Sequence, residues 1–421
     1  MIRRRFLALV GASALGGCAA PHVAAAGRFD QVTSSPPTDR AIEAFTSSPS
    51  LERGDVLALH VSSDHRDLAG EIRRIGWPKP TLVDRFRLRG AVKLADDGVW
   101  PVAIERSTAT FPTGYYLVEL RPVGAGGPVH YVPFVVRDRS SRASVVVQIP
   151  FFTYQAYNAW GGAGLYNFNS IDTPALSVRL DRPYDVFDGA GFCFYGDYQL
   201  ATWLDRERVP VSYIASQDLH RSDDVLRGRR LFVSAFHDEY WSQAMRDRLA
   251  GFVAGGGNAA FFGANSIYWK VVINDQLLVC AKAGDTGRFR DLGQPESDLL
   301  GSWYDSYWFP YGRGAPWRAR HTGHWFYADT GMADDDLIDG LVGYEWDQVP
   351  ADGGPPGTIV LSATDVEPGR RHNATVVEHP SGGTVVNVGT TYWPRLLLGG
   401  GLFPADRRVQ QITRNILARL G

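Results

Sequence analysis

One run of residues limits the fold more than any other: Ala143-Ser144-Val145-Val146-Val147-Gln148-Ile149. Three consecutive valines and an isoleucine leave no polar face, which suits a strand buried on both sides. Asp197 to Arg206 then reads as a helix, because Tyr198, Ala201, Trp203 and Leu204 fall at spacings that give one broad apolar face. Val211-Ser212-Tyr213-Ile214 and Leu231-Phe232-Val233-Ser234-Ala235-Phe236 are further strands. A helix from about Ser242 to Val253 is stopped by Gly255-Gly256-Gly257, and Asn258-Ala259-Ala260-Phe261-Phe262-Gly263 resumes as strand. This alternation implies a parallel α/β sheet over residues 140–421.

Upstream the pattern differs. Val56–Val61, Glu71–Ile75, Tyr115–Leu120 and Tyr131–Val136 are short β candidates punctuated by Gly, Pro and Asp. Pro133 suggests an edge position for the last of them. Short strands at this spacing imply an antiparallel β-sandwich over residues 51–139. Residues 27–50, with Ser34-Ser35-Pro36-Pro37 and Ser47-Ser48-Pro49-Ser50, read as a tether.

The first 26 residues read as an address rather than as fold. Arg3-Arg4-Arg5-Phe6-Leu7 fits a twin-arginine export signal, and Leu15-Gly16-Gly17-Cys18 resembles a lipobox. The expected product is lipidated on Cys18 and held at the periplasmic side of the envelope. The apolar run between the two motifs is far shorter than the roughly 20 residues a spanning helix needs. Cys193 and Cys280 are the remaining cysteines, and sequence leaves open whether they bond. The net charge of −2 gives no reason to expect nucleic acid as a partner. A homo-oligomer stays open.

Chemistry is expected where parallel strands end, because ligands in open α/β sheets bind outside the carboxyl ends. His237-Asp238-Glu239 follows one such strand. In extended backbone His237 and Glu239 share a face, and a His with a carboxylate binds metal or divides acid and base roles. The plainer reading is a helix start, with Asp238 and Glu239 favouring the dipole. Asn265 follows the next strand, where an amide can orient a carbonyl or serve only as a turn residue. Tyr154, Tyr157, Tyr195 and Tyr198 lie after the first strand or around the next helix; each alone reads as core. No Walker A, H-E-x-x-H, paired C-x-x-C or G-x-S-x-G pattern occurs.

Together the residues resemble a known family. Phe152-Thr153-Tyr154-Gln155-Ala156-Tyr157-Asn158-Ala159-Trp160-Gly161-Gly162, Asp181-Arg182-Pro183-Tyr184, Tyr198 with Trp203-Leu204-Asp205, His237-Asp238-Glu239-Tyr240-Trp241-Ser242 and Phe261-Phe262-Gly263-Ala264-Asn265 are similar to the N,N-dimethylformamidase large (beta) subunit family. Residues 72–77 and 131–138 resemble its sandwich, and Gln411–Leu417 its closing helix. The resemblance implies an Ig-like β-sandwich followed by a glutamine amidotransferase-like parallel α/β domain. It implies a mononuclear iron held by two tyrosines and one glutamate, hydrolysing a small amide. Carried over, the glutamate is Glu239, the proton-transfer histidine His237 and the substrate-side asparagine Asn265. The tyrosines are Tyr157 and Tyr198, with Tyr154 and Tyr195 as near alternatives. Asp197 stands before Tyr198 where relatives carry Glu. The competing expectation is a non-catalytic envelope lipoprotein that binds carbohydrate or another envelope component. An amidotransferase-like hydrolase would need a reactive cysteine; Cys193, between Phe192 and Phe194, is poorly placed for one.

Overall fold

The computed structural model describes residues 40–421 apart from 97, 125, 309–313, 381 and 401–402. The expected export signal, Cys18 and most of the tether lie outside the described residues.

Eight strands form the first unit: β1 (Ile42–Thr46), β2 (Ser50–Glu52), β3 (Val56–Ser63), β4 (Asp67–Arg74), β5 (Thr81–Arg89), β6 (Val102–Ser107), β7 (Gly114–Pro122) and β8 (His130–Arg137). They make two sheets, β1-β3-β6 and β2-β8-β7-β4-β5. The alternation in β3 turns Leu57, Leu59 and Val61 inward, against Leu68, Ile72, Tyr116, Val118, Leu120 and Phe134 from the other sheet. Two expectations change here. Residues 42–46 and Ser50, assigned to the tether, belong to strands, because Ile42 and Ala44 supply part of this core. β8 is not an edge strand: it pairs with β7 and, in parallel, with β2. Its Pro133 is tolerated because β2 registers only with Val135–Arg137.

β7 is buried on both faces. Tyr116 and Val118 face the sandwich core, while Tyr115 and Leu117 pack into the core of the second unit. Ser50 Oγ donates to Asp218 Oδ2 at 2.6 Å, and Arg137 Nε lies 3.3 Å from Asp218 Oδ1, tying the units together.

The second unit is a seven-stranded sheet ordered Val211–Ala215, β9 (Val145–Ile149), Leu231–Phe236, Asn258–Gly263, Thr384–Asn387, Arg370–Glu378, Thr358–Glu367. The first five strands are parallel; the last two form an antiparallel hairpin added to the edge, so the sheet is mixed rather than purely parallel. The helices Asp197–Arg206 and Gln243–Ala254 fall where sequence places them. Ser242 caps the second by accepting from Met245 N, and Asp406 caps the closing helix Arg407–Leu420 by accepting from Arg408 N and Val409 N. The chain leaves β9 toward Val211–Ala215 on one side and returns to Leu231–Phe236 on the other. That reversal opens a crevice at the carboxyl ends of β9 and Leu231–Phe236. No described helix is long and apolar enough to cross a membrane.

Candidate functional site

The strand Leu231–Phe236 is wholly buried and ends on a strained residue: Phe236 has φ +52°. Gly263, its neighbour in register, makes that turn feasible. A Cβ at Gly263 would sit 2.1 Å from the Phe236 carbonyl oxygen. The turn lifts His237, Asp238 and Glu239 off the sheet into the crevice, each no more than 1% exposed. They do not start a helix; Tyr240–Ser242 is a short strand, and the helix begins at Gln243.

The three side chains part company at once. Asp238 turns back under the sheet, where its Oδ2 accepts from Gln148 Nε2 at 2.7 Å and Ser234 Oγ at 2.8 Å. Burial raises its pKa to about 6, against the opposing hydrogen bonds. His237 and Glu239 share a face, with Nδ1 3.8 Å from Glu239 Oε2.

Glu239 sits among phenols. Tyr166 donates to its Oε1, and the Tyr157 phenol lies within electrostatic reach of the carboxylate. The Tyr157 ring lies 4.9 Å from Tyr166 and 5.4 Å from His237, centroid to centroid, and Tyr240 lies 6.3 Å from Tyr166. Thr153 Oγ1 accepts from the Glu239 backbone N–H at 3.0 Å, locking the loop to the short helix Phe151–Ala156 that follows β9. Burial and the Glu239 charge hold the Tyr157 and Tyr166 phenols well above their ordinary range, as neutral donors. Burial likewise raises Glu239, with Glu345 adding to it and His237 opposing.

On the other side of His237 stands Glu345. His237 Nε2 lies 2.7 Å from Glu345 Oε2, off the ring's N–H line, so the contact is one of charge more than of an aligned hydrogen bond. Burial would lower the imidazole, but Glu345, Glu239 and Asp238 outweigh it and raise His237 to about 9. Asn265, at φ +56°, is gripped twice: its Nδ2 donates to Glu345 Oε2 at 3.1 Å, and its backbone N–H to Asp347 Oδ1 at 2.8 Å. Glu345 and Asp347 are two apart on the strand Glu345–Gln348 and so share a face.

Of the sequence candidates, the structure brings His237, Glu239, Asn265 and Tyr157 together. It does not bring Tyr198 to Glu239. Tyr198 is one position further round its helix than Asp197 and turns toward the sandwich, its ring 5.8 Å from Phe194, with Tyr131 and Glu119 within electrostatic reach. Tyr154 donates to the buried Asp197 Oδ2 at 2.5 Å and lies 3.3 Å from the Tyr115 hydroxyl. Tyr195 stacks on Phe236 at 5.4 Å. Sequence reasoning missed Tyr166, Glu345 and Asp347. Two acids at alternate positions among aromatics, Tyr344-Glu345-Trp346-Asp347, were the available signal. Cys193 and Cys280 are both free and buried; burial raises the Cys280 thiol to about 12 and Cys193 further. Neither is a reactive thiolate.

The site keeps unused donor atoms. Glu239 Oε2, His237 Nδ1, Asn265 Oδ1 and the Tyr240 hydroxyl are buried without a hydrogen-bond partner. Among the described residues no group of three or more His, Cys, Asp or Glu side chains is arranged to hold a metal ion. A cation at Glu239 would therefore use phenolic oxygens as well. Carboxylate and phenol oxygens are hard donors, the set a hard trivalent ion prefers.

Residues 70–404 match the family described as N,N-dimethylformamidase beta subunit-like, C-terminal. The N,N-dimethylformamidase beta subunit of Paracoccus aminophilus is 24% identical over 426 residues, which cover 77% of this chain and 54% of that protein. The chain thus spans about half the length of that relative. Among solved structures, the mmIFT52 N-terminal domain aligns with 51% of this chain and 86% of its own, at 10% identity and a TM-score of 0.30. A Paenibacillus sp. cycloisomaltooligosaccharide glucanotransferase aligns with 63% of this chain and 57% of its own, at 9% identity and a TM-score of 0.19. Neither score supports a shared fold. The family match rests instead on most of the chain, from the fourth sandwich strand through the crevice and beyond, and on that ground the chain belongs to the N,N-dimethylformamidase beta subunit-like C-terminal family.

Proposed function

We propose that this chain is an exported, iron-dependent hydrolase of a small amide or related C–N bond. Its scaffold reads as an Ig-like sandwich followed by an amidotransferase-like α/β domain. One observation carries the reading: a buried carboxylate, Glu239, ringed by Tyr157, Tyr166 and Tyr240, stands beside a His237–Glu345 pair at the reversal point of the sheet. Glu239 with Tyr157 and Tyr166 would hold the iron; Tyr166 takes the place that sequence gave to Tyr198. When bound, the ion supplies Lewis acidity, which polarises an amide carbonyl.

The remaining work falls to the chain. Hydrolysis adds water across the C–N bond and must deliver one proton to the departing nitrogen. His237 and Glu345, 2.7 Å apart, form the pair that takes that proton from water and passes it on. Asn265 fixes the Glu345 carboxylate through Nδ2. Phe192, Tyr157 and Tyr344 surround the imidazole with aromatic rings and keep bulk water from it. Arg3-Arg4-Arg5-Phe6-Leu7 and Cys18 would deliver the folded, loaded protein to the periplasmic face as a lipid-anchored form.

The test is reconstitution of the purified chain with ferric iron. One iron per chain, a visible tyrosinate-to-iron absorption and hydrolysis of short N-alkyl amides are expected. Absence of both the bound iron and the absorption would sink the reading. Cys18→Ala should move the protein from the membrane to the soluble envelope fraction; an unchanged distribution would remove the lipid anchor.

A further inference from the structure

The groups at the floor of the crevice, His237, Glu239 and Tyr240, are fully buried. On the Glu239 side, Tyr157, Tyr166, Trp269 and Lys282 are all partly exposed, with Phe168 75% exposed and stacked on Tyr166. A ligand that reaches Glu239 from this side passes this rim. The rim is largely aromatic, with Lys282 at its centre and Arg288 beside Trp269. Lys282 Nζ lies 3.0 Å from the centroid of the Tyr166 ring and 5.0 Å from that of Trp269. Tyr166 is itself fixed there, donating to Glu239 and accepting from Trp269 Nε1 at 2.9 Å.

Lys282 is held in a left-handed backbone conformation, φ +57°, which a non-glycine residue adopts at a cost and which clusters at functional positions. Its ammonium is half withdrawn from water, yet among the described residues no carboxylate lies within 4.0 Å of it. Aromatic faces replace only part of the lost hydration. The nearby arginine Arg288 is already matched, donating to Asp291 at 2.5 and 3.0 Å. Lys282 has no direct ion-pair partner among the described residues; the buried Glu239 acts on it only at a distance, and a carboxylate on the incoming molecule would give it a direct one.

We propose that Lys282 is a specificity residue that receives a carboxylate carried by the amide substrate. This rests on the amide-hydrolysis reading above and narrows it. The substrate class is an N-acyl amino acid or similar amide with one anionic arm. Its apolar part lies along Phe168 and Trp269, its carboxylate on Lys282 and its amide at Glu239. A phosphate or other dianion is disfavoured, since the rim offers one ammonium and its nearby guanidinium, Arg288, is already taken by Asp291.

The experiment compares N-acetylglycine with the neutral N-propylacetamide on iron-reconstituted full-length protein, its Lys282→Gln variant and its Lys282→Arg variant, each checked for an unchanged melting temperature. The wild type should favour N-acetylglycine by about tenfold or more in kcat/KM. Lys282→Gln should lose that preference mainly through KM for N-acetylglycine, with a much smaller change on the neutral amide, and Lys282→Arg should keep most of it. Equal losses on both amides in Lys282→Gln would make Lys282 a mere support for Tyr166 and overturn the proposal. A wild-type preference for the neutral amide would overturn it too. If the wild type cleaves neither amide, the hydrolase reading fails separately and tryptophan fluorescence, read as the difference from a Trp269→Phe variant, decides: quenching by N-acetylglycine alone, lost in Lys282→Gln, upholds the anion site, and no selective quenching ends it.

Discussion

The interior of the sandwich and the crevice of the α/β unit are equally buried and built on opposite rules. Between the two sandwich sheets nearly every inward side chain is apolar, from Leu57 and Leu59 to Phe134 and Val136. A polar group buried at its margin, His130, has its partner: Nε2 accepts from Ala44 N–H at 2.9 Å. At the strand ends of the α/β unit, Glu239, Asp238, Asp347 and His237 are buried together, and several of their atoms lack partners. Buried groups of like charge weaken a fold unless something compensates them. The difference locates stability in the first region and chemistry in the second.

The sharpest way to break this contrast is Glu239→Gln. Gln keeps an oxygen for Tyr166 and removes the charge. We expect iron binding to vanish and amide hydrolysis to fall roughly 1,000-fold, on the scale of losing a main electrostatic element of a site. The melting temperature should hold or rise. A large fall in stability with activity intact would reverse the assignment of roles. The complementary change is Phe134→Ala, which empties a fully buried site. It should cost about 3–5 kcal/mol of unfolding free energy by urea titration. Activity per folded molecule should be unchanged, because Phe134 faces away from the crevice.

A pH experiment sharpens the comparison further. Burial lowers His130 from 6.5 to about 4 in the folded state, against the pull of its contacts with Ala44. The unfolded chain therefore binds the proton first. The stability that neutral His130 provides is complete above 6.5 and is lost as pH falls from there through 4. The limb is worth on the order of 3 kcal/mol. His130→Gln, which keeps an acceptor for Ala44, should flatten stability between those limits in acid urea melts. A limb that survives the substitution would assign acid sensitivity elsewhere.

What could be read from sequence follows the same division. Strands of mainly apolar residues, Val145–Ile149 and Leu231–Phe236, and the helix Asp197–Arg206 are dictated locally, by the pattern of their own side chains. The shared face of His237 and Glu239 is also local, a property of period two. Which phenols reach Glu239 is not local. Tyr166 arrives from a loop 73 positions earlier in the chain, and Glu345 from a strand beyond Asn265. Tyr198 lies in a correctly placed helix yet faces the sandwich, because a rotation of one residue separates it from Asp197. β5 and β6 were missed because charged residues such as Arg85, Arg87 and Glu105 interrupt their apolar pattern. β1 escaped because the polar stretch around it masks the apolar pair Ile42 and Ala44.

The smallest effect tests the crevice from its rear wall. Asp347 accepts from Asn265 N–H and from Asn387 Nδ2 at 2.9 Å, both neutral donors. Burial, with Glu296 and Glu345 adding to it, raises the group from 3.8 to about 7 despite those hydrogen bonds. A carboxyl raised on folding stabilises below its unfolded value of 3.8, and that contribution is lost as pH climbs through 7. The sign is opposite to that of His130, as expected if one region is arranged for stability and the other for charge. Asp347→Asn keeps an oxygen for Asn265 N–H but turns an amide toward Asn387, so part of the gain is returned as a poorer hydrogen bond. We expect a net stabilisation of about 1 kcal/mol at pH 8, shrinking toward zero or reversing at pH 4. A loss of stability at pH 8 would mean that the charge itself is needed to hold Asn265 in its strained turn, and the crevice would then share the structural role assigned to the sandwich.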